Sequence, residues 1–259
     1  MEYIDSNWST IFAANQLGTF DSIWELDLPY VDSGNYARGG RSMVSRHTIS
    51  LPNGKKEVIY IKRQENYTCF NWRNPFLGRP TYEREFDNWK IFKELKLPTY
   101  ELLYFAKRWH GKNLQAILIS KELPAQDLGT YIQEIKEPTY KPSPESFKRR
   151  KTITSQAAKA LRQMHDQNLR HGHMIPKHIF VEVTEPKCYL IDLEILRKSF
   201  FKRAMIRHDI GRLARHLDGG SLTDKMRFFK CYFGINHLTA KHKRLWRAIH
   251  SRASRPKKY

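Results

Sequence analysis

The chain has 259 residues, of which 40% are apolar, and this is enough to bury a core in one large domain or in two lobes. Its longest uninterrupted aliphatic run covers residues 116–119, far below the roughly 20 residues that a membrane-spanning helix needs. The first residues lack the basic start and apolar stretch of a secretory signal, and the three cysteines form no CxxC pair. These features exclude a disulfide-rich secreted protein and predict a cytoplasmic location.

The formal net charge is +20, and the basic residues are unevenly distributed. Residues 1–37 contain six acidic side chains and no Lys or Arg, whereas residues 241–259 contain eight basic side chains and no acidic one. A charge of this size attracts an anionic partner, such as nucleic acid, an anionic membrane surface or a phosphorylated substrate. Charge alone leaves all three open.

The pattern of the first half is typical of strands around one helix. Residues 37–50 and 58–61 predict two strands of a hairpin, joined by a Pro-Asn-Gly turn. Residues 64–79 are expected to form a loop, because Asn, Gly and Pro recur there. A helix is expected to begin at Pro80, where aromatic residues recur at helical spacing. Two further strands are expected, at residues 101–106 and 114–119.

The pattern changes after residue 119, and residues 121–125 have the composition of a connector. We therefore divide the chain there, with one lobe at residues 1–122, a second at residues 123–240 and a basic tail at residues 241–259. In the second lobe, helices are expected at residues 128–135, at residues 146–168 and from Met205 onward, with short strands at residues 179–183 and 189–191.

This order of elements is that of protein-kinase-like phosphotransferases. Such proteins place a glycine-rich loop over ATP, a strand Lys on its phosphates and a helix Glu beside the Lys. A catalytic loop with Asp and Asn follows, and then an Asp that binds magnesium. We therefore expect an α+β, two-lobed fold of the protein-kinase type, with a small, mainly antiparallel β lobe and a larger, mainly α lobe.

Lys62 is the candidate for the strand Lys, because it ends an apolar strand where its ammonium can meet phosphates. The alternative is that it is one more exposed Lys. Glu83 and Glu85 are the candidates for its partner. At about 100° per residue, Glu85 shares the face of Phe86 and Trp89, whereas Glu83 does not. We therefore choose Glu85.

Gly39, Gly40 and Ser42 lie at the start of the first strand of the predicted hairpin. The stretch nearly spells a P-loop, but Gly40 stands at the position of the P-loop Lys, and a strand rather than a helix is expected to follow. We interpret it as a hairpin that covers phosphates, in which Gly39 and Gly40 let backbone N–H groups approach the nucleotide.

Residues 171–178 follow the long helix and precede the strand pair, as a kinase catalytic loop does. In this alignment His171 takes the first motif position, His173 that of the catalytic Asp and His178 that of the metal-binding Asn. Asp192, at the end of the strand pair, is the predicted metal ligand, because the hairpin returns the chain beside the loop it left. The alternative is an Asp that stabilises a turn.

Five segments are the most specific part of the pattern: RGGRSMVSR (residues 38–46), YIKRQ (60–64), PTYEREF (80–86), PKHIFV (176–181) and LIDLE (190–194). Together they resemble a known family, the lipopolysaccharide core kinases that phosphorylate Kdo or heptose sugars, and in particular their InaA-like branch. The resemblance covers roughly residues 35–215. The resemblance implies a two-lobed kinase-like fold, use of ATP and Mg²⁺, and a sugar acceptor in the lipopolysaccharide inner core, reached from the cytoplasmic side of the inner membrane.

His173 is the main departure from the kinase pattern, whereas a His at the position of His178 is familiar in this family. A neutral imidazole can still accept a proton near pH 7, so a slow enzyme and a pseudokinase both remain open. Imidazole is a poor magnesium ligand, so we expect one well-held Mg²⁺ at Asp192, with His178 beside it, rather than two ions. Lys177 either contacts the transferred phosphate or faces solvent. Asp209 either braces the catalytic loop or lies at a helix end.

Two other interpretations are weaker, whereas an anionic membrane surface is expected as a partner, with the protein peripheral to the cytoplasmic face of the inner membrane. A transition-metal cluster of four histidines has spacings that match no common zinc pattern; the four are His165, His171, His173 and His178. Binding of nucleic acid would use the charge and the six Trp, but no RNP, KH or zinc-finger pattern is present, so no nucleic-acid partner is expected. The basic residues at 202–215 and 241–258 would hold the protein electrostatically at an anionic membrane surface, or they simply face solvent.

Overall fold

The computed structural model describes residues 1–31, 33–37, 39–71, 74–137, 139–182, 187–217 and 221–254. Arg38, the end of the strand predicted at 179–183 and the last five residues of the basic tail lie outside the described residues. The chain divides into two compact units. Unit 1 comprises Met1–Ile91 and Tyr100–Leu123, and unit 2 comprises Phe92–Thr99 and Pro124–Tyr259.

Unit 1 is built on a six-stranded antiparallel sheet with the order β1-β7-β8-β4-β3-β2, while β5 and β6 form a separate antiparallel pair. Its strands are β1 (Glu2–Ile4), β2 (Asn35–Ala37), β3 (Gly40–Ser50), β4 (Lys56–Glu65), β5 (Thr68–Asn71), β6 (Asn74–Pro80), β7 (Leu102–His110) and β8 (Asn113–Lys121). Its helices are α1 (Ser9–Ala14), α2 (Phe20–Trp24) and α3 (Thr81–Glu94), which continues into unit 2.

The central hairpin of β3 and β4 pairs without interruption from Arg41 opposite Glu65 to Ser50 opposite Lys56. Along β4, the buried Ile59, Ile61 and Arg63 alternate with the partly exposed Tyr60 and Lys62, as a strand with one face on a core requires. Ile59 and Ile61 are completely buried, and they pack with Phe12 and Ile23 from the first two helices. The acidic amino-terminal segment is therefore part of the core of unit 1.

The prediction of a loop at residues 64–79 is wrong. After β4 ends at Glu65, the chain forms the hairpin of β5 and β6, in which Thr68 lies opposite Pro80 and Cys69 opposite Arg79. Gly78 has a φ of +65°, and a Cβ there would lie 3.1 Å from the Thr68 side chain. The Asn, Gly and Pro residues suggested a loop. In the structure the two segments pair, and this pairing provides hydrogen-bond partners for their backbone N–H and C=O groups.

Unit 2 is mainly helical. A three-stranded sheet has the order β12-β11-β9, and β10 pairs with β13. The helices are α4 (Leu128–Glu134), α5 (Pro144–Asp166), α6 (Lys202–His216), α7 (Leu222–Phe233) and α8 (Ala240–Ala253). The strands are β9 (Gln126–Asp127), β10 (Leu169–Arg170), β11 (Ile179–Val181), β12 (Cys188–Leu190) and β13 (Arg197–Lys198), and one-turn 3₁₀ helices span Pro176–His178 and Leu193–Ile195.

The long helix α5 begins at Pro144, two residues before the predicted start. Ser143 and Ser146 form a reciprocal capping box, and a proline is compatible with the first helical position because its missing N–H has no intrahelical partner. Its buried face includes Ile153, Ala157 and Leu161. Within the described parts of the chain, none of the helices combines the length and apolar character that crossing a bilayer requires.

Candidate active site

Lys62 and Glu85 form an ion pair inside unit 1. The Lys62 Nζ donates to Glu85 Oε1 at 2.8 Å, and the Lys62 side chain is 22% exposed whereas that of Glu85 is 2% exposed. The ammonium lies 5.8 Å from the ring centre of Tyr82 and 5.7 Å from that of Tyr100. A lysine held in this way keeps its charge at the edge of the core with few rotamers available, which suits the binding of phosphate oxygens.

The two glutamates of α3 have different partners, as the helix phase predicted. Glu83 pairs with Lys107 of β7 at 2.7 Å, so it is a structural contact of the sheet. Glu85 accepts a second hydrogen bond, at 2.8 Å, from the hydroxyl of Tyr100, whose backbone carbonyl accepts from Trp89 Nε1. Two donors on one buried oxygen explain how Glu85 is held in place to orient Lys62.

Tyr100 was missed by the sequence reasoning. It lies 15 residues after Glu85, beyond the end of α3. Its position follows neither helical nor strand periodicity relative to Glu85, so no sequence signal connects the two residues. Only the return of the chain to the sheet brings them together.

The two glycines of the expected phosphate-covering hairpin differ in their surroundings. A Cβ on Gly40 would lie 2.3 Å from the Glu65 carbonyl oxygen and the Asn66 backbone, so close packing within unit 1 by itself requires glycine there. Gly39 has a φ of +75°, and a Cβ there would meet nothing within 4 Å. Ser42 is bonded through Oγ to the Tyr82 hydroxyl at 2.6 Å. Of these residues, Gly39 has the most open surroundings.

In unit 2 the catalytic-loop segment is fixed by the buried Asp209 of α6. Its carboxylate accepts from the backbone N–H groups of His171, at 2.8 Å, and Gly172, at 3.1 Å. It also contacts His165 Nε2 at 3.1 Å and His208 Nδ1 at 2.9 Å. Burial raises the pKa of Asp209, but the hydrogen bonds with these two histidines outweigh it and hold the pKa well below its ordinary value. Asp209 therefore braces the loop as an anion.

His171 is completely buried and contacts the Ile191 carbonyl through Nε2 at 2.9 Å. Since a carbonyl only accepts, Nε2 carries the proton. Burial lowers the pKa of His171, so the ring is neutral near pH 7. This contact ties the start of the loop to the residue before Asp192, and His171 positions the site rather than reaching solvent.

Asp192 lies where the strand pair ends. Ile191 N–H donates to the His178 carbonyl at 3.1 Å, while Leu190 bonds to the segment of Pro98 and Thr99 at 3.0 Å and 2.7 Å. Asp192 itself has a left-handed backbone, with φ 58° and ψ 61°. Such a conformation costs of the order of 1 kcal/mol for a residue with a side chain, and it often marks a functional position.

The side chains of His173, His178 and Asp192 converge. Asp192 Oδ2 lies 3.2 Å from His178 Nε2 and 3.6 Å from His173 Nδ1, and one donor atom from each residue lies within 4.8 Å of the others. His173 and Asp192 are partly exposed, at 37% and 31%, whereas His178 is 14% exposed. Burial lowers the pKa of His178 to about 4.

Two further candidates, Lys177 and His165, have other contacts. Lys177 is exposed, and its stem lies beside Gly129 of α4. His165, which the four-histidine interpretation included, contacts Tyr232 and Asp209 instead. Only two of those four histidines, His173 and His178, belong to the group of possible metal ligands that the described residues contain.

The fold of the chain is similar to one known from a solved structure. The structure described as "WaaP in complex with acyl carrier protein" matches with a TM-score of 0.66 and 16% identity over 98% of each chain. The class of protein that the fold defines is therefore the kinase-like one, α+β with an antiparallel sheet unit, as expected. A search of curated protein sequences found no match.

The sequence also matches the family described as the lipopolysaccharide kinase (Kdo/WaaP) family, over residues 21–232. The chain therefore belongs to this family, as the sequence motifs indicated.

Membership of this family implies ATP and a divalent metal ion. Lys62 has the charge and the fixed position that a phosphate contact needs. The donor set near Asp192 fits a divalent cation, because a carboxylate oxygen and two imidazole nitrogens converge from partly exposed positions. It fits Mg²⁺ less well than an all-oxygen set would, since Mg²⁺ prefers oxygen ligands.

Proposed function

We propose that this protein transfers the γ-phosphoryl group of ATP to a hydroxyl of a Kdo or heptose sugar in the lipopolysaccharide inner core. The observation that carries the proposal is the ion pair of Lys62 and Glu85. Glu85 also accepts a hydrogen bond from Tyr100, and this second contact fixes the carboxylate that positions the Lys62 ammonium for phosphate oxygens. Family membership supports the class of reaction and of acceptor. Gly39, Gly40 and Ser42 are proposed to cover the nucleotide.

In the transfer, the acceptor oxygen attacks the γ-phosphorus, the bond to the bridging oxygen breaks, ADP leaves, and the proton of the acceptor hydroxyl passes to His173 or to water. Lys62 neutralises charge on the phosphates, and Asp192 would hold the divalent ion, with His178 beside it. That ion supplies positive charge to the phosphoryl group. Lys177 is proposed to contact the transferred phosphate or the acceptor, because its ammonium is exposed on the same one-turn helix as His178.

His173 occupies the position at which kinases have a carboxylate. Two roles are chemically open to it: it can accept the proton of the sugar hydroxyl, or it can bind the metal ion through the nitrogen that lies near Asp192. His171 orients this segment through its contact with Ile191. Phosphoryl transfer depends mainly on positioning and charge stabilisation, so loss of the usual carboxylate lowers the rate more than it prevents the reaction.

The test is transfer of γ-labelled phosphate to purified inner-core acceptors that end in Kdo or in heptose, with a divalent ion present. We expect labelling of one acceptor by the wild type and none by Asp192→Asn. Asp166→Asn is the matched control, since Asp166 forms ion pairs with Arg162 and Lys202 outside the site, and it should retain activity. Labelling that survives Asp192→Asn would refute the mechanism.

A pseudokinase scaffold is the second candidate, and the imidazole at position 173 is the observation that favours it. The same assay separates the two. Absence of labelling by the wild type, together with labelling by His173→Asp, would show a kinase fold whose catalytic position has been lost.

We also propose that the protein binds the surface of an anionic membrane, where a glycolipid acceptor would be found. Phe200 and Phe201 are adjacent and are 91% and 77% exposed. Exposed basic residues lie on both sides of them, at Arg197, Lys198 and Arg203. Aromatic side chains flanked by positive charge are suited to the boundary between lipid headgroups and acyl chains.

A further inference from the structure

The three side chains at the end of the strand pair are spaced like ligands of one ion. For metal–ligand bonds of about 2.1 Å, neighbouring donor atoms are roughly 3.0–3.5 Å apart. Asp192 Oδ2 lies 3.2 Å from His178 Nε2, within this range, and 3.6 Å from His173 Nδ1, just above it. The two imidazole planes are nearly perpendicular, at 88°, with ring centres 4.9 Å apart, so the rings meet edge to face and are not stacked.

The tautomer of His178 is set by a backbone contact. Its Nδ1 lies 2.8 Å from the His173 carbonyl oxygen, and because that oxygen can only accept, Nδ1 carries the proton. In the neutral ring, Nε2 is then a bare lone pair that lies 3.2 Å from a carboxylate oxygen. A cation between them could be bound by both the His178 Nε2 lone pair and the Asp192 carboxylate oxygen. A ring N–H donated to a backbone carbonyl is also the usual arrangement of a metal-binding histidine.

Burial and exposure are divided as an open metal site requires. His178 is largely shielded, which holds its ring in place, while His173 and Asp192 each keep about a third of their side-chain surface accessible. Three protein ligands on one side leave coordination positions on the other for water or phosphate oxygens.

The ligand types decide which ion is favoured. Two nitrogens and one carboxylate oxygen form the set that first-row transition metals accept, whereas Mg²⁺ prefers oxygen and dehydrates reluctantly. We propose that His173, His178 and Asp192 bind a divalent first-row transition metal ion in preference to Mg²⁺. The inference rests on the proposed function in so far as this ion serves the same phosphate chemistry, and it assigns His173 as a ligand rather than a base.

Titration of the full-length, metal-free protein with Co²⁺, without nucleotide, tests this through the visible absorption of the ion. Nitrogen ligation changes the intensity and position of the Co²⁺ bands, so the readout does not depend on activity. We expect saturable binding of one equivalent that a hundredfold excess of Mg²⁺ does not displace. His173→Ala and His178→Ala should each weaken it at least about 10-fold, and Asp192→Asn should weaken it as well.

His237→Ala is the matched control, because it removes an exposed imidazole outside the site, and it should leave binding unchanged. Circular dichroism of each variant identifies misfolding, and His173→Asp offers a second variant that keeps a polar ligand but should shift the preference toward Mg²⁺. Displacement of Co²⁺ by equimolar Mg²⁺, or equal Co²⁺ affinity in wild type and His173→Ala, would overturn the proposal.

The result of the Co²⁺ titration can be told apart from the result of the sugar-phosphorylation assay. Selective Co²⁺ binding without sugar phosphorylation would retain the site and refute the kinase activity. Phosphorylation in Mg²⁺ with no selective Co²⁺ binding would support the kinase activity and refute the transition-metal site.

Discussion

In the proposed mechanism Glu85 acts by holding Lys62 in place, so the two residues should behave as a unit. Lys62→Met and Glu85→Gln should each lower kcat/KM for phosphotransfer by about 10²-fold, because a fixed charge at the phosphates is lost. The double variant should lose little more than either single one. Steady-state kinetics with varied ATP measures this.

The control for this prediction is Glu83→Gln. Glu83 lies two residues away on the same helix but pairs with Lys107, so its loss should leave kcat/KM within a few fold of the wild-type value. Additive losses at Lys62 and Glu85, or an equal loss in Glu83→Gln, would contradict the assignment.

Asp209 should contribute stability that depends on pH. Its pKa in the folded protein lies below the ordinary value near 3.8, so as the pH falls the unfolded chain takes up the proton first. The contribution is therefore present above about pH 4 and is lost as the pH falls below that. Asp209→Asn should lower the unfolding free energy by about 3 kcal/mol at pH 7, with a smaller difference from wild type below pH 4.

Urea unfolding between pH 7 and pH 3 measures this difference. Asp166→Asn is the control, since its ion pairs are on the surface and should contribute less than about 1 kcal/mol. A difference between wild type and Asp209→Asn that stays constant down to pH 3 would show that the carboxylate has no depressed pKa.

At the scale of elements, Gly39 precedes β3 and Gly40 begins it. Alanine substitutions show at which of the two positions packing requires glycine. Gly40→Ala should destabilise the protein by about 2 kcal/mol or more, because the new methyl group overlaps the backbone at Glu65 and Asn66. Gly39→Ala should cost only about 1 kcal/mol, for its left-handed backbone. Thermal unfolding ranks the two, and a larger loss in Gly39→Ala would contradict the packing that we describe.

The hairpin of β11 and β12 explains how distant residues form one site. The strands pair from Ile179 opposite Leu190 to Val181 opposite Cys188, so the chain leaves after His178 and returns before Asp192. Two features of the pattern, a turn between short apolar strands and an Asp after the second, were enough to predict this proximity. The hairpin of β5 and β6 was not predicted, because its Asn, Gly and Pro residues are equally compatible with a loop.

At the scale of the whole molecule, the charge of +20 should make membrane association dependent on salt. Co-sedimentation with anionic vesicles should be strong at low ionic strength and weaken as salt screens the basic residues. Replacing both Phe200 and Phe201 with Ser should reduce the fraction bound. Phe147→Ser is the control, since Phe147 is only half exposed and its ring lies against Arg150 and Arg227.

Binding that does not change across the salt series would contradict an electrostatic contribution. Equal losses in Phe147→Ser and in the double variant would show that Phe200 and Phe201 have no special role.

Local features of the sequence by themselves determined the kinase-like order of elements, the hairpin of β3 and β4 and the choice of Glu85 over Glu83. These follow from periodicity and spacing, which act over a few residues and can be read from one chain. The same holds for the family, whose motifs are short and continuous.

Tertiary structure alone decided which long-range partners complete each site. Tyr100 reaches Glu85, Asp209 holds the N–H groups of the catalytic loop, and the donor atoms of His173, His178 and Asp192 converge. Distances between side chains depend on how elements pack, and packing is a property of the whole folded unit rather than of any local pattern. For this reason the residue types at the site could be named from the sequence, whereas the convergence of two imidazoles and a carboxylate, on which the proposed preference for a transition metal rests, required the fold.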